Sequence, residues 1–206
     1  MSYLFTSESV SEGHPEKHIR DLIRKIGYTD PKLRFSSEEV EIINLIHNQS
    51  ENINQAVESE NTHEQGAGDQ GIMFGFACNQ TENFMPVAIE LSHRVLQILS
   101  GIRKEGKEMQ YLQPDSKAQF TVEYSGDRAE RVDTILVSTQ HDELHQDQKG
   151  LIYQDFKRIV IPRLINSLPE KFVRLFQEDY KLIINPSGQF IKGGPDADTG
   201  LTGRKI

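Results

Sequence analysis

The clearest pattern in the chain begins at Pro86. Ala88, Leu91, Val95, Ile98 and Ile102 recur at steps of three and four residues, one face of a helix running to about Lys104. After it the period drops to two. Phe120, Val122 and Tyr124 alternate with polar residues, Ser125-Gly126-Asp127 supplies turn residues, and Val132 to Thr139 is again rich in strand formers. That is the signature of an antiparallel hairpin. Leu151, Ile152, Phe156, Ile159 and Val160 predict a second helix, which Pro162 should kink or end. Tyr180 to Ile184 reads as a short strand entering the turn Asn185-Pro186-Ser187-Gly188. Helix, hairpin, helix and strand in that order predict an α+β layer, a sheet with helices on one face.

The N-terminal third is less regular. Its first 17 residues are rich in Ser, Glu, Gly and His, and read as a loop entering a helix with Pro15 at or near the first turn. Ser36 to His47 supports two readings. Ser36 with Glu39 fits a capping box, with Val40, Ile43 and Ile46 on one helical face. Val40, Ile42, Ile43, Leu45 and Ile46 fit a strand equally well. Residues 48–71 carry little apolar pattern and read as a long loop, the kind that usually carries function or moves.

Composition narrows the class. The 206 residues allow one or two domains, and 26% charged with 36% hydrophobic residues is the balance of a folded globular chain. No apolar run is long enough to cross a membrane. The N-terminus has neither the basic start nor the apolar stretch of a secretory signal. Cys78 has no second cysteine to pair with, as expected in a reducing cytoplasm. A net charge of −8 argues against a nucleic-acid sheath. A polyphosphate ligand stays open, because a few placed cations and Mg2+ can hold one locally.

Four polar segments carry candidate chemistry. Gly13-His14-Pro15-Glu16-Lys17 packs a base, a carboxylate and a cation together; the plainer alternative is a solvated loop at a helix start. Glu64-Gln65-Gly66-Ala67-Gly68-Asp69-Gln70-Gly71 has glycines that let backbone N–H groups approach an anion, or simply make a turn. It is neither a P-loop nor a dinucleotide fingerprint. Gln113-Pro114-Asp115-Ser116-Lys117 puts an acid and a cation on one face of an extended chain, to seat a nucleotide or to form a surface pair. Gly193-Gly194-Pro195 through Asp198 to Gly203-Arg204-Lys205 is glycine-rich and ends in two cations, suited to phosphate oxygens or to a basic tail.

In this order the segments resemble one family. Leu4 to Pro15, Glu64 to Gly75, Pro114-Asp115 with Lys117, Ser138-Thr139-Gln140-His141, Ile184-Asn185-Pro186, and Gly193 to Lys205 are similar to S-adenosylmethionine synthetases (methionine adenosyltransferases). The match covers most of the chain, with weak stretches near 18–45 and 142–180. That family joins ATP to methionine, forming S-adenosylmethionine with release of phosphate and diphosphate. The resemblance implies a fold of similar α+β domains. Residues 1–63 would be a reduced first domain with a mobile loop, 64–186 the central domain, and 187–206 the entry to a third domain that is otherwise absent.

The resemblance also implies roles. His14, Lys117, Arg204 and Lys205 would be catalytic, stabilising the leaving tripolyphosphate. Asp115, Lys117, Gln189, Phe190, Asp198, Arg204 and Lys205 would bind ATP with His14, and Phe190 would offer a stacking face to adenine. Gln49, Asp69 and Asp198 would lie by methionine, and Glu16 would hold Mg2+. K+ is a further family cofactor. Partners would be ATP, methionine and either a second copy or a full-length synthetase; membrane and nucleic acid are not expected. Several positions depart from the family. Glu16 replaces a usual Asp, Gln113 and Gln189 replace usual Arg residues, and Ala56 a usual Gly. After Lys17 the chain runs almost directly into Arg24-Lys25-Ile26-Gly27-Tyr28, without the family segment that carries its K+ and methionine glutamates. Two readings follow: a transferase, or an impaired paralogue that binds nucleotide or polyphosphate or pairs with a complete synthetase.

Overall fold

The alternation at residues 120–139 is the centre of a longer hairpin. The computed structural model, which describes residues 15–43, 45, 75–144 and 150–198, has β1 over Leu112–Ser125 and β2 over Arg128–His141, paired antiparallel. Gly126 stands first in the two-residue turn at φ 58°, a conformation glycine adopts without Cβ strain. β3, Lys181–Ile184, joins β2 in parallel, so the strand order is β1-β2-β3. A parallel partner needs a crossover, and the helices after β2 supply it.

One face of this sheet is apolar because the strand period brings Phe120, Ile135 and Val137 into a common core, and the register shift beside Asp133 returns Val132 to the same face. α2, Val87–Glu105, lays Val87, Leu91, Val95, Leu99 and Ile102 into it, each at 3% exposure or less. The stripe is the predicted one, except that Leu99 is buried where Ala88 and Ile98 are only half-buried. The second helix contributes Phe156, Ile159, Val160, Ile161 and Leu164 to the same core. The result is the α+β layer expected from the sequence, with helices on one face.

That second helix does not end at Pro162. α3, Leu151–Asp155, passes into a π-wound turn, Phe156–Val160, and α4, Ile161–Asn166, continues through the proline. The Ile161 N–H donates to the Phe156 carbonyl five residues back, the wider π spacing. In a regular α-helix the pyrrolidine ring would meet the carbonyl four residues before it. The wider turn relieves that contact, so the chain absorbs the proline with a bulge. α5, Glu170–Val173, is a single turn beyond it.

Neither reading of Ser36–His47 holds in its described part. The Ser36 cap forms, with the Glu39 N–H donating to Ser36 Oγ at 3.3 Å. Only one turn follows, closed by the Val40 N–H to the Ser36 carbonyl at 3.0 Å, and residues 41–43 are neither helix nor strand. A single turn without a packed face does not propagate, and Ile43 is exposed here. α1, Pro15–Ile26, begins at the predicted proline. The segment after it docks against the end of α2, where Arg103 Nη2 donates to the Ile26 carbonyl at 2.7 Å. Gly27, at φ 120°, has no space for a Cβ beneath the Arg103 guanidinium. No helix among the described residues is long and apolar enough to cross a membrane.

Candidate functional site

β3 pairs with β2 only as far as Val137 and Ile184, while β2 continues to His141. Side chains and a loop take the place of a longer β3. Asn185, at φ 46°, turns its amide onto β2. Its Oδ1 accepts the Thr139 N–H at 2.8 Å and its Nδ2 donates to the Thr139 carbonyl at 3.1 Å. The side-chain amide thus stands in for a peptide unit of the missing strand. The predicted turn closes with the Gly188 N–H on the Asn185 carbonyl at 2.9 Å.

The chain then returns along the end of β2. The His141 N–H donates to the Phe190 carbonyl at 2.9 Å, and the Phe190 N–H donates to His141 Nε2 at 3.1 Å. Gln140 Nε2 donates to the Ile191 carbonyl at 3.0 Å. From the other side Asp115 closes the site. The β1–β2 register slips between Leu112 and Ser116, an irregularity that lets Asp115 leave the regular ladder. Its Oδ2 accepts the Gly194 N–H at 2.9 Å. A Cβ on Gly193 would sit 2.7 Å from Phe190 Cε2, 2.9 Å from Gln140 Cδ and 3.0 Å from Asp115 Oδ2, so only glycine fits. Gly194, at φ 66°, lies directly against the Tyr28 hydroxyl.

Tyr28 brings the N-terminal segment to this point and packs edge-on against Phe35, ring centroids 5.4 Å apart. Burial, and after it the charge of Asp115, raises the Tyr28 phenol above its ordinary range, with Arg103 opposing. Gln113 Nε2 donates to Asp142 Oδ1 at 2.9 Å, and Lys32 Nζ lies 3.2 Å from the same oxygen. Hydrogen bonding to Asp142 and to Asp30 raises the Lys32 pKa. Arg34 and Lys192 each lie 3.5 Å from an Asp196 carboxylate oxygen. These exposed pairs add little stability, but they line the rim with cations.

Among the expected site residues, Asp115 and Phe190 are brought together. Lys117 lies opposite Ser138 in the ladder, exposed and with no ion pair among the described residues. Gln189 is exposed beside Phe190. Asp198 is exposed, and its N–H donates to the Gly194 carbonyl at 3.2 Å. Glu16 lies in the first turn of α1, but its side chain is outside the described residues, as are His14, Gln49, Asp69, Arg204 and Lys205. Among the described residues no group of three or more His, Cys, Asp or Glu comes together to hold a metal. Sequence reasoning places Gln140, His141 and Asn185 in family motifs, and Asn185 in a turn, but assigns no site role to them or to Tyr28. The available signal was two polar residues ending an apolar strand, since Gln140 and His141 are both only 2% exposed.

The arrangement offers a flat aromatic ring, a fixed Gly-Gly backbone and, on the neighbouring strand, a cation with no ion pair among the described residues. It suits a ligand with a planar base and an anionic chain. Residues 64–190 match the family model described as S-adenosylmethionine synthetase, central domain. The whole chain is 43% identical to the S-adenosylmethionine synthase of Christiangramia forsetii, of which it covers 62%. It is 44% identical to that of Salinibacter ruber and 40% identical to that of Bacteroides fragilis, covering 64% and 63% of them. The chain therefore spans less than two thirds of these relatives' length. The match to the first runs over 259 positions against 206 residues here, so that relative carries stretches inside the match with no counterpart in this chain.

Proposed function

The chain belongs to the S-adenosylmethionine synthetase family, and on that footing we propose that it supplies the nucleotide side of that family's reaction, S-adenosylmethionine formation from ATP and methionine. The observation that carries the proposal is the 2.9 Å hydrogen bond from the Gly194 N–H to Asp115. It joins the Asp115–Lys117 strand to the Phe190–Gly194 loop, two segments far apart in sequence that both resemble ATP-binding motifs. In this reading the Phe190 ring stacks on adenine and Lys117 places a point charge on phosphate oxygens. Methionine sulfur attacks the ribose 5′ carbon, and the displaced tripolyphosphate gathers negative charge that cations must meet. His14, Arg204 and Lys205 are the further cations and donors proposed for that task, and Gln189 and Asp198 line the nucleotide. Gln49 and Asp69, with Asp198, are proposed for methionine.

Glu16 is the proposed Mg2+ ligand. One carboxylate suits that ion, which takes most of its oxygens from phosphates and water; when bound it would neutralise triphosphate charge. K+ is proposed from the family alone. A second reading is favoured by the positions missing inside the match. There the chain binds nucleotide or polyphosphate without completing transfer, or works beside a complete synthetase subunit.

Calorimetry with a non-hydrolysable ATP analogue and Mg2+, with and without methionine, tests the common core of both. Saturable heat is expected, and Lys117→Ala should weaken it about tenfold, the scale of one charge-assisted contact. Absence of binding at millimolar analogue would overturn the first reading and the nucleotide-binding form of the second, leaving only a role beside a complete synthetase subunit. Methionine-dependent phosphate release by the purified chain supports the complete reaction; binding without release supports the second reading.

A further inference from the structure

The Phe190–Gly194 loop is held by the side chains of His141, Gln140 and Asp115 and by one backbone bond to β2. His141 meets Phe190 at two points, accepting its N–H at Nε2 and donating a backbone N–H to its carbonyl. The tautomer follows from those bonds. A nitrogen that accepts the Phe190 N–H carries no proton, so the ring proton sits on Nδ1, which lies 2.7 Å from the Asp142 carbonyl and donates to it. Both ring nitrogens are used, and the imidazole is only 2% exposed. Gln140, also 2% exposed, donates Nε2 to the Ile191 carbonyl, while its buried Oε1 has no partner among the described residues. An unmet buried acceptor is costly, and a leucine would fill the same space more cheaply. Packing therefore does not account for the glutamine; its bond to the loop does.

We propose that Gln140 and His141 are positioning residues of the nucleotide site, fixing the backbone of Phe190 and Ile191 so that the Phe190 ring is set before ligand arrives. The proposal rests on the nucleotide-binding reading above. Pinning φ and ψ of one residue at both its N–H and its carbonyl removes the freedom that binding would otherwise have to freeze. Gly193 completes the device, because the ring edge, the Gln140 amide and the Asp115 carboxylate all crowd the space a side chain would need.

The test is a titration of a non-hydrolysable ATP analogue with Mg2+ into the unsubstituted chain, His141→Ala, His141→Gln and Val95→Ala. The last is a core variant that lowers stability without touching the loop. His141→Ala should bind about tenfold more weakly, the size of one buried hydrogen bond plus loop ordering. His141→Gln keeps an acceptor for the Phe190 N–H and should recover to within about threefold, the remainder of a partly restored bond. Val95→Ala should bind like the unsubstituted chain. Equal affinity of His141→Ala and the unsubstituted chain overturns the proposal and leaves the nucleotide reading intact, as does a glutamine variant no better than alanine. No binding by any form overturns both. Should His141→Ala fail to fold, the near-isosteric Gln140→Met takes its place, and affinity equal to the unsubstituted chain's again overturns the proposal.

Discussion

At the scale of single residues, Gly193 has little freedom to change. A methyl group there meets a ring carbon, an amide carbon and a carboxylate oxygen, all at 3.0 Å or less. Gly193→Ala should cut affinity for the ATP analogue by at least about tenfold, since the loop must move to relieve the overlap. The fold should persist, with an unchanged far-ultraviolet dichroism spectrum, because the loop lies outside the main core. Tyr111 gives a prediction about pH. Its hydroxyl donates to Asp155 Oδ2 at 2.9 Å, and burial, then that bond, raises its pKa strongly. An unfolded tyrosine loses its proton near pH ~10. Below that, both states keep the proton and the full contribution is present. Above it the unfolded state ionises while the native phenol does not, so the contribution is lost as pH rises. Tyr111→Phe should therefore lower stability by about 1 kcal/mol at neutral pH and make the alkaline decline shallower, as read by urea unfolding at two pH values. An equally steep decline would count against Tyr111 as a source of it.

At the scale of elements, the prediction concerns how β2 ends. Asn185→Ala removes both side-chain hydrogen bonds to Thr139 and leaves an alanine at φ 46°. Stability should fall by about 2 kcal/mol from the two lost bonds and the left-handed backbone. Asn185→Gly should recover only the backbone share, so urea unfolding of both variants separates the two causes. The elements themselves were largely legible in the sequence. The Pro86 helix, the hairpin and the strand before Asn185 follow from apolar periods that tertiary packing reinforced. The strands run further than the pattern because Gln113 to Lys117 and Gln140-His141 are polar, held in place by site contacts and not by apolar alternation. The π turn was not legible: a proline predicts a kink or an end, and whether the helix instead runs on through a bulge depends on the core residues gripping both sides of it. Nor could the sequence show that Ser36 caps one isolated turn. The convergence of Asp115 with Gly194 was half legible, since both segments stood out by composition but their contact crosses 79 positions.

At the scale of the whole molecule, the described contacts of the N-terminal segment with the rest are scattered and polar. Arg103 reaches the Ile26 carbonyl, Tyr28 touches Gly194, Lys32 reaches Asp142 and Arg34 lies by Asp196. The central layer, by contrast, is closed by a continuous apolar core. Arg103→Met should therefore speed protease cleavage within residues 15–40 several-fold while leaving the main unfolding transition within about 0.5 kcal/mol, as expected for a contact outside the core. Equal cleavage rates would show that the segment is held elsewhere. The side-chain closure of β2 has a consequence for how the molecule behaves in a crowd. Backbone groups past the end of a short neighbouring strand are a template onto which any passing extended chain can add. Here the Asn185 amide and the Phe190 carbonyl occupy those groups, and β3 itself stops after four residues with Lys181 at its start. The contacts that shape the candidate site thus also act as gatekeepers against edge-to-edge aggregation.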